Sequence, residues 1–194
     1  MDLLLASTSR YRRELLARLG VPFRAEAPAC DEEEEKRKLP PGIAPADLAP
    51  ALARAKAGSL RAAWPAATIL GCDQVAAIGA EVLGKPGTAE RAAAQLARLA
   101  GREHVLVTAV ALLHAGRIHE HVDVTRLSMR PLTAAQIERY VTADAPLDCA
   151  GSYRLEARGI TLFERIDSAD HTAIVGLPLI ALTSLLASLG FPVP

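Results

Sequence analysis

Two short runs that are almost wholly apolar, the opening MDLLLA and Thr68–Asp73, constrain this chain more than any other feature. Each is too short for an ordinary helix and reads as a buried strand. Helical sequence separates them. Tyr11, Leu15, Leu16 and Leu19 repeat at helical spacing before Gly20 and Pro22 end the pattern, and an Ala-rich stretch covers residues 46–63. A second strand is expected at Phe23–Ala27, and Val75–Ile78 continues the central strand after a kink. Thr88 is an N-cap for a helix ending near Leu99 and Gly101. Residues 104–113 and 118–129 read as a hairpin around Ala115-Gly116, and Thr133 with Gln136 makes a capping box. A strand at Gly159–Ile166 and a helix at Pro178–Leu189 complete the pattern, while the charged run Asp31–Gly42 reads as an exposed loop. Alternating strands and helices with one long hairpin give an α/β fold, a mixed twisted sheet flanked by helices.

Composition narrows the function. Half of the 194 residues are hydrophobic, enough for a sizeable core. Lys plus Arg and Asp plus Glu are equal at 22 each, so no basic excess points to nucleic acid. No apolar run approaches the roughly 18 residues of a membrane span, and the N-terminus does not read as a signal peptide. Cys30, Cys72 and Cys149 form no disulfide framework, which together predicts a cytoplasmic protein.

The most informative chemistry lies near the N-terminus. Arg10, Arg12 and Arg13 fall in the first turn of the predicted helix, where the macrodipole is already positive and each cation costs a few tenths of a kcal/mol. An anion held by backbone amides, by the hydroxyls of Ser7, Thr8 and Ser9 and by an Arg fork would remove the conflict. A solvated arginine face is the alternative. Only four lysines stand against eighteen arginines; Lys56 lies on the Ala-rich helix, and Lys85 sits between Gly84 and Pro86, a fixed cation suited to a phosphate or an ordinary turn lysine.

Asp73 is the leading acidic candidate. It ends the run Thr68–Cys72 and is followed by Gln74, so it falls where ligands gather in open α/β sheets. There it could hold a hard divalent cation or deprotonate a water, unless it is simply a cap or turn residue. The run Asp31–Glu35 offers a second carboxylate. His114, His119 and His121 read as surface histidines, and Cys149 as a packed small residue. Neither a P-loop, a dinucleotide fingerprint nor a nucleophile elbow occurs.

Taken together, these segments resemble the Maf family of nucleoside triphosphate pyrophosphatases. The likeness begins with LLLASTSRYRRELLARLG and continues through CDE at Cys30–Glu32, GCDQV at Gly71–Val75 and GKP at Gly84–Pro86. TAVAL at Thr108–Leu112, YVTADAPLDCAGSYRLEARGITLFERI from Tyr140 and VGLPL at Val175–Leu179 follow in the family's order. Asp73-Gln74, where dTTP- and UTP-directed members carry Asp-Thr, is similar to the YceF-like branch that acts on 7-methyl-GTP. Departures are Arg10 for a usual Pro, Ala109 for a frequent Gly, the charged stretch Glu33–Leu39, and His171-Thr172 before VGLPL.

The resemblance implies a two-lobed single domain with a cleft, like that of inosine triphosphate pyrophosphatases, over residues 1–190, with 191–194 as a short tail. It implies hydrolysis of 7-methyl-GTP between the α and β phosphates, giving monophosphate and pyrophosphate. Ser7, Ser9, Arg12, Arg13, Lys56 and Lys85 would bind phosphate; Tyr11, Gln74 and Glu156 would set base specificity. Asp73 would either activate water or join Glu32 as a ligand of Mg²⁺ or Mn²⁺, since it cannot comfortably do both. A homodimer is compatible with this, and no nucleic-acid or membrane partner is expected. The alternatives are a dTTP/UTP pyrophosphatase of the same family and a nucleotide-binding regulator of cell division whose hydrolysis is incidental.

Overall fold

The computed structural model describes residues 2–193. Its strands are β1 (Leu3–Ala6), β2 (Phe23–Glu26), β3 (Thr68–Ile78), β4 (Glu81–Leu83), β5 (Glu103–His114), β6 (Arg117–Met129) and β7 (Phe163–Asp167). Its helices are α1 (Arg10–Ala17), α2 (Glu32–Arg37), α3 (Pro45–Ser59), α4 (Ala89–Leu99), α5 (Ala134–Asp144), α6 (His171–Val175) and α7 (Leu179–Ser188). The strands hydrogen-bond in the order β2-β1-β3-β5-β6-β7, with β4 added to β3. β1 runs parallel to β2 and β3, whereas β3–β4 and β6–β7 are antiparallel, so the sheet is mixed. Among the described residues, no helix is long and apolar enough to cross a membrane.

The chain forms two compact units. The first comprises residues 1–74, 108–123 and 170–194; the second comprises 75–107 and 124–169. In the first unit β1 is covered on both faces, which is why every residue of Leu3–Ala6 is apolar. Leu3 and Leu5 pack with Leu16 of α1 and with Leu182 and Leu186 of α7. Leu4 and Ala6 face the other way, onto Ala57 of α3 and Leu60. Phe191 is buried in the first of these clusters.

Gly71 of β3 is what lets α3 approach. A Cβ there would lie 2.1 Å from the Ala53 carbonyl oxygen and 2.7 Å from the Ala57 amide nitrogen. The contact is backbone on backbone, so no side-chain adjustment could relieve it.

Local sequence explains most of the second unit. Thr88 caps α4 by accepting from the Arg91 amide, and Thr133 and Gln136 form the full capping box of α5. His104, Tyr153 and Phe163 form an aromatic cluster, with Tyr153 and Phe163 meeting edge to face at 4.9 Å.

Two expectations need correction. The run Asp31–Gly42 is not all loop, because residues 32–37 form α2. Asp31 caps it by accepting from the Glu33 and Glu34 amides, four glutamates fill its first turn, and Lys36 and Lys38 pair with glutamates three and four residues back. Cap, dipole and spacing all favour a helix that composition alone disguises as a charged loop. The strand expected from Gly159 starts only at Phe163, after a 3₁₀ segment Arg158–Leu162. Gly159 turns tightly there, its amide donating to the Arg154 carbonyl at 2.9 Å, and a Cβ would lie 2.2 Å from that oxygen.

Candidate active site

The first unit brings five of the expected residues into two linked sets. In one, Asp73 lies midway along β3, not at the strand end expected of it, because the strand continues to Ile78 where β4 pairs with it. There α3 carries Lys56 on the turn that passes Gly71. Lys56 Nζ donates to Asp73 Oδ1 at 2.5 Å and to Glu32 Oε2 at 2.8 Å. The Lys56 and Asp73 side chains are only 11% and 7% exposed, and Glu32 is 45% exposed. Burial works against the Lys56 ammonium, but the charge of Asp73 and the bonds to both carboxylates overcome it and raise its pKa. It therefore stays charged.

The two carboxylates are pushed apart. Burial raises the Asp73 pKa, and the opposing pull of Lys56 and Arg12 does not cancel it. Partial burial also works against ionised Glu32, yet Lys56 and Lys36 outweigh it and draw its pKa down to about 2. One carboxylate thus gains basicity while its neighbour stays an anion.

The other set surrounds Arg12. Its Nη1 donates to the Cys72 carbonyl at 2.9 Å and its Nε to the Gly176 carbonyl at 3.2 Å, tying the middle of β3 to the end of α6. Gln74, next along β3, donates through Nε2 to Thr108 Oγ1, the Ala173 carbonyl and the Ile174 carbonyl, at 2.9, 2.9 and 3.1 Å. Its amide hydrogens are thereby committed, and its Oε1 is left as an acceptor.

The helix start is partly self-satisfied. Ser9 caps α1, its Oγ accepting from the Arg12 amide at 3.4 Å, while buried Ser7 accepts from the Ser9 amide through Oγ at 3.2 Å. Arg10 leans onto Glu14 at 2.6 Å and Arg12 onto the two carbonyls. Of the three arginines that crowd this turn, Arg13 alone keeps an exposed guanidinium with no protein partner among the described residues. Tyr11 is half-buried on the same turn.

Lys85 and Glu156 lie in the second unit, both exposed. His114 hydrogen-bonds Thr68 through Nδ1 at 2.7 Å, and His119 and His121 are half-buried on β6. Burial and Asp148 push the Cys149 thiol up to about 12, which removes thiolate chemistry at neutral pH.

The carboxylates expected to hold a divalent cation, Glu32 and Asp73, converge on the Lys56 ammonium, and Lys36 takes the other Glu32 oxygen. Mg²⁺ or Mn²⁺ bound largely through substrate phosphates would have to share or displace those lysine contacts. Among the described residues no three His, Cys, Asp or Glu side chains group into a fuller cage.

Two supporting residues escape a reading of the sequence. Thr108, fully buried, donates to the Ala173 carbonyl at 2.9 Å and accepts from Gln74. Asp170, also buried, accepts from the Thr172 amide and hydroxyl and from the Ile180 amide, fixing α6 against the start of α7. An Asp six residues before a Gly would have signalled this one-turn helix, capped at both ends. Nothing local signals Thr108.

A mixed α/β fold with a buried lysine–carboxylate pair on a central strand describes a class of architecture, and the sequence identifies which. The family described as Maf-like protein matches residues 2–189, and the chain belongs to that family. It is 48% identical to the 7-methyl-GTP pyrophosphatase of Bdellovibrio bacteriovorus, over 95% of this chain and 95% of that protein. It is 47% identical to the 7-methyl-GTP pyrophosphatase of Xanthomonas oryzae pv. oryzae, over 99% and 98%. A solved structure described as a nucleoside-triphosphatase, dITP/XTP pyrophosphatase, from Mycobacterium abscessus is 17% identical over 99% of each chain, with a TM-score of 0.43. That overlap is too loose to bear on the assignment.

Proposed function

We propose that this chain is a cytoplasmic nucleoside triphosphate pyrophosphatase that hydrolyses 7-methyl-GTP to 7-methyl-GMP and pyrophosphate. The observation that carries the reading is the buried Asp73 carboxylate, raised in pKa and held by Lys56 at 2.5 Å. The names of the two close relatives support the substrate.

In this reading Asp73 takes a proton from the attacking water, and its raised pKa makes it a stronger base than an exposed aspartate. The water oxygen bonds to phosphorus as the bridging P–O bond breaks, and pyrophosphate leaves with that bond's electron pair. Lys56 orients the base and offsets the charge that develops on the phosphates. Ser7, Ser9, Arg12 and Arg13 contribute hydroxyls, amides and positive charge at the start of α1. Glu32, ionised across the neutral range, would hold a divalent cation, which supplies charge neutralisation on phosphate oxygens when bound; Asp73, as the base, is not an inner ligand in this reading.

Base selection rests on Tyr11 and Gln74. An aromatic ring suits a purine made cationic by methylation, and Gln74 Oε1 is an acceptor whose amide is locked by three bonds.

Pyrophosphate release from 7-methyl-GTP, GTP, dTTP and UTP, with Mg²⁺ or Mn²⁺ and with the nucleotide product identified, tests this reading. Monophosphate formed fastest from 7-methyl-GTP is the expected result. Preference for dTTP or UTP would keep the mechanism and discard the substrate. Binding without release from any of the four would make the chain a nucleotide-binding regulator.

A further inference from the structure

The second unit contains a cavity of about 500 Å³ that the reaction above does not use. Its polar lining is rich in donors. Arg130, Arg139, Arg158 and Gln136 line it beside Thr161 and Leu162, and no carboxylate is among its lining residues. Cations are excluded by such a lining, and an anion with several oxygens is favoured.

Two of the guanidiniums are already fixed by the fold. Arg130 donates through its backbone amide to the Leu162 carbonyl at 2.8 Å and through Nη1 to the Thr161 carbonyl at 3.2 Å. Arg158 donates through Nη1 to the buried Asp144 at 3.0 Å and to the Ala143 carbonyl at 3.3 Å, while its backbone amide donates to Asp144 Oδ2. Each keeps N–H groups that no acceptor among the described residues takes, and Arg139 on α5 keeps all of its own. Gln136 turns its Oε1 to the Thr133 amide and hydroxyl, which leaves its NH₂ as a donor. Side chains held in place before a ligand arrives lose little further entropy on binding it.

We propose that this cavity is a binding site for a phosphate monoester of mononucleotide size. Three guanidinium forks match the terminal oxygens of a phosphate dianion better than a single carboxylate would. The volume falls within the roughly 300–1,000 Å³ of small-molecule sites. Leu132, Ala143 and Leu162 offer apolar surface for the rest of the ligand. None of its lining residues is among those assigned above to phosphate, base, metal or water.

The test is calorimetric titration of the full chain with GMP, and separately with inorganic phosphate, at fixed ionic strength. The variants are R139E and R130Q, and melting temperature serves as the folding control. Arg139 is exposed and has no ion pair among the described residues, so its reversal spares the fold. A GMP-binding event weakened at least tenfold by R139E and by R130Q, with melting temperature and pyrophosphate release unchanged in R139E, is the expected result. Displacement of GMP from that site by equal inorganic phosphate would identify the free ion as the source, and resistance to displacement the nucleotide. No GMP binding sensitive to either variant, or only an adventitious loss shared with neutral surface substitutions, would overturn the proposal. Should no triphosphate be hydrolysed, the variant-sensitive GMP event must still appear.

Discussion

Lys56 Nζ sits 2.5 Å from Asp73 Oδ1 midway along β3, and the same ammonium reaches Glu32 at 2.8 Å. A charge pair this buried is weak evidence for stability, because desolvation offsets much of the Coulomb attraction. It makes better sense as a device that keeps the Asp73 carboxylate oriented and basic.

Asp73→Asn should therefore lose about 10²–10⁴-fold in turnover, the range removed with a general base. Nucleotide affinity should change much less, since the amide keeps the shape and still accepts from Lys56 through its oxygen. Pyrophosphate release and equilibrium nucleotide binding, measured on the same preparation, separate the two effects. Full turnover in the variant would remove Asp73 from the mechanism.

Gly71→Ala probes how the pair is brought together. The new Cβ would meet the backbone of α3 at Ala53 and Ala57, so helix or strand must move. Overpacking of this kind typically costs 1–3 kcal/mol, and a backbone clash belongs at about 3 kcal/mol or more. Urea unfolding should show a fall of that size. Gly58→Ala is the control, because a Cβ there meets nothing within 4 Å.

How much of this was legible in the sequence depends on the range of the interaction that decides each element. Thr88, Thr133 with Gln136, and the Ala115-Gly116 turn act within a few residues, and all three sit as the local pattern predicts, the turn with φ of 46° and 79°. The α2 helix was hidden because a charged run has no apolar stripe, and its signal lay instead in the Asp31 cap and the Glu–Lys spacing. Asp73 stood out at the end of an apolar run. That Lys56 would be its partner did not, since the contact depends on α3 passing Gly71. Crowded charge at the start of α1 read as a vacancy for an anion. The structure pairs Arg10 with Glu14 and Arg12 with the Cys72 and Gly176 carbonyls, the latter two being long-range contacts no local pattern records, and leaves Arg13 exposed.

Lys56→Met should leave Asp73 buried beside an apolar chain. Breaking a buried pair in this way costs about 3–5 kcal/mol. Loss of the ammonium raises the Asp73 pKa further, so the carboxyl protonates as the pH falls, and protonation relieves the penalty. The destabilisation should accordingly be largest near pH 8 and shrink toward pH 5. Urea midpoints at those two values measure it. A deficit that does not vary with pH would mean that Lys56 acts by packing alone.

His104 supplies the acid limit of the second unit. It is buried, its Nε2 lies 2.8 Å from the Tyr153 hydroxyl, its Nδ1 has no partner among the described residues, and burial lowers its pKa to about 4. An unfolded histidine binds its proton near pH 6.5, so between these values the unfolded chain takes up a proton that the folded chain refuses. Stability is therefore full above about pH 6.5 and declines as the pH drops toward 4, by roughly 3 kcal/mol on linkage grounds. Glu32 contributes its own loss only lower, from its ordinary value down to about 2. His104→Phe should flatten the decline between pH 6.5 and 4 while costing some stability at pH 8, where the Tyr153 hydroxyl loses its partner. Unfolding midpoints for both proteins across that interval provide the measurement, and parallel curves would show that some other group sets the acid limit.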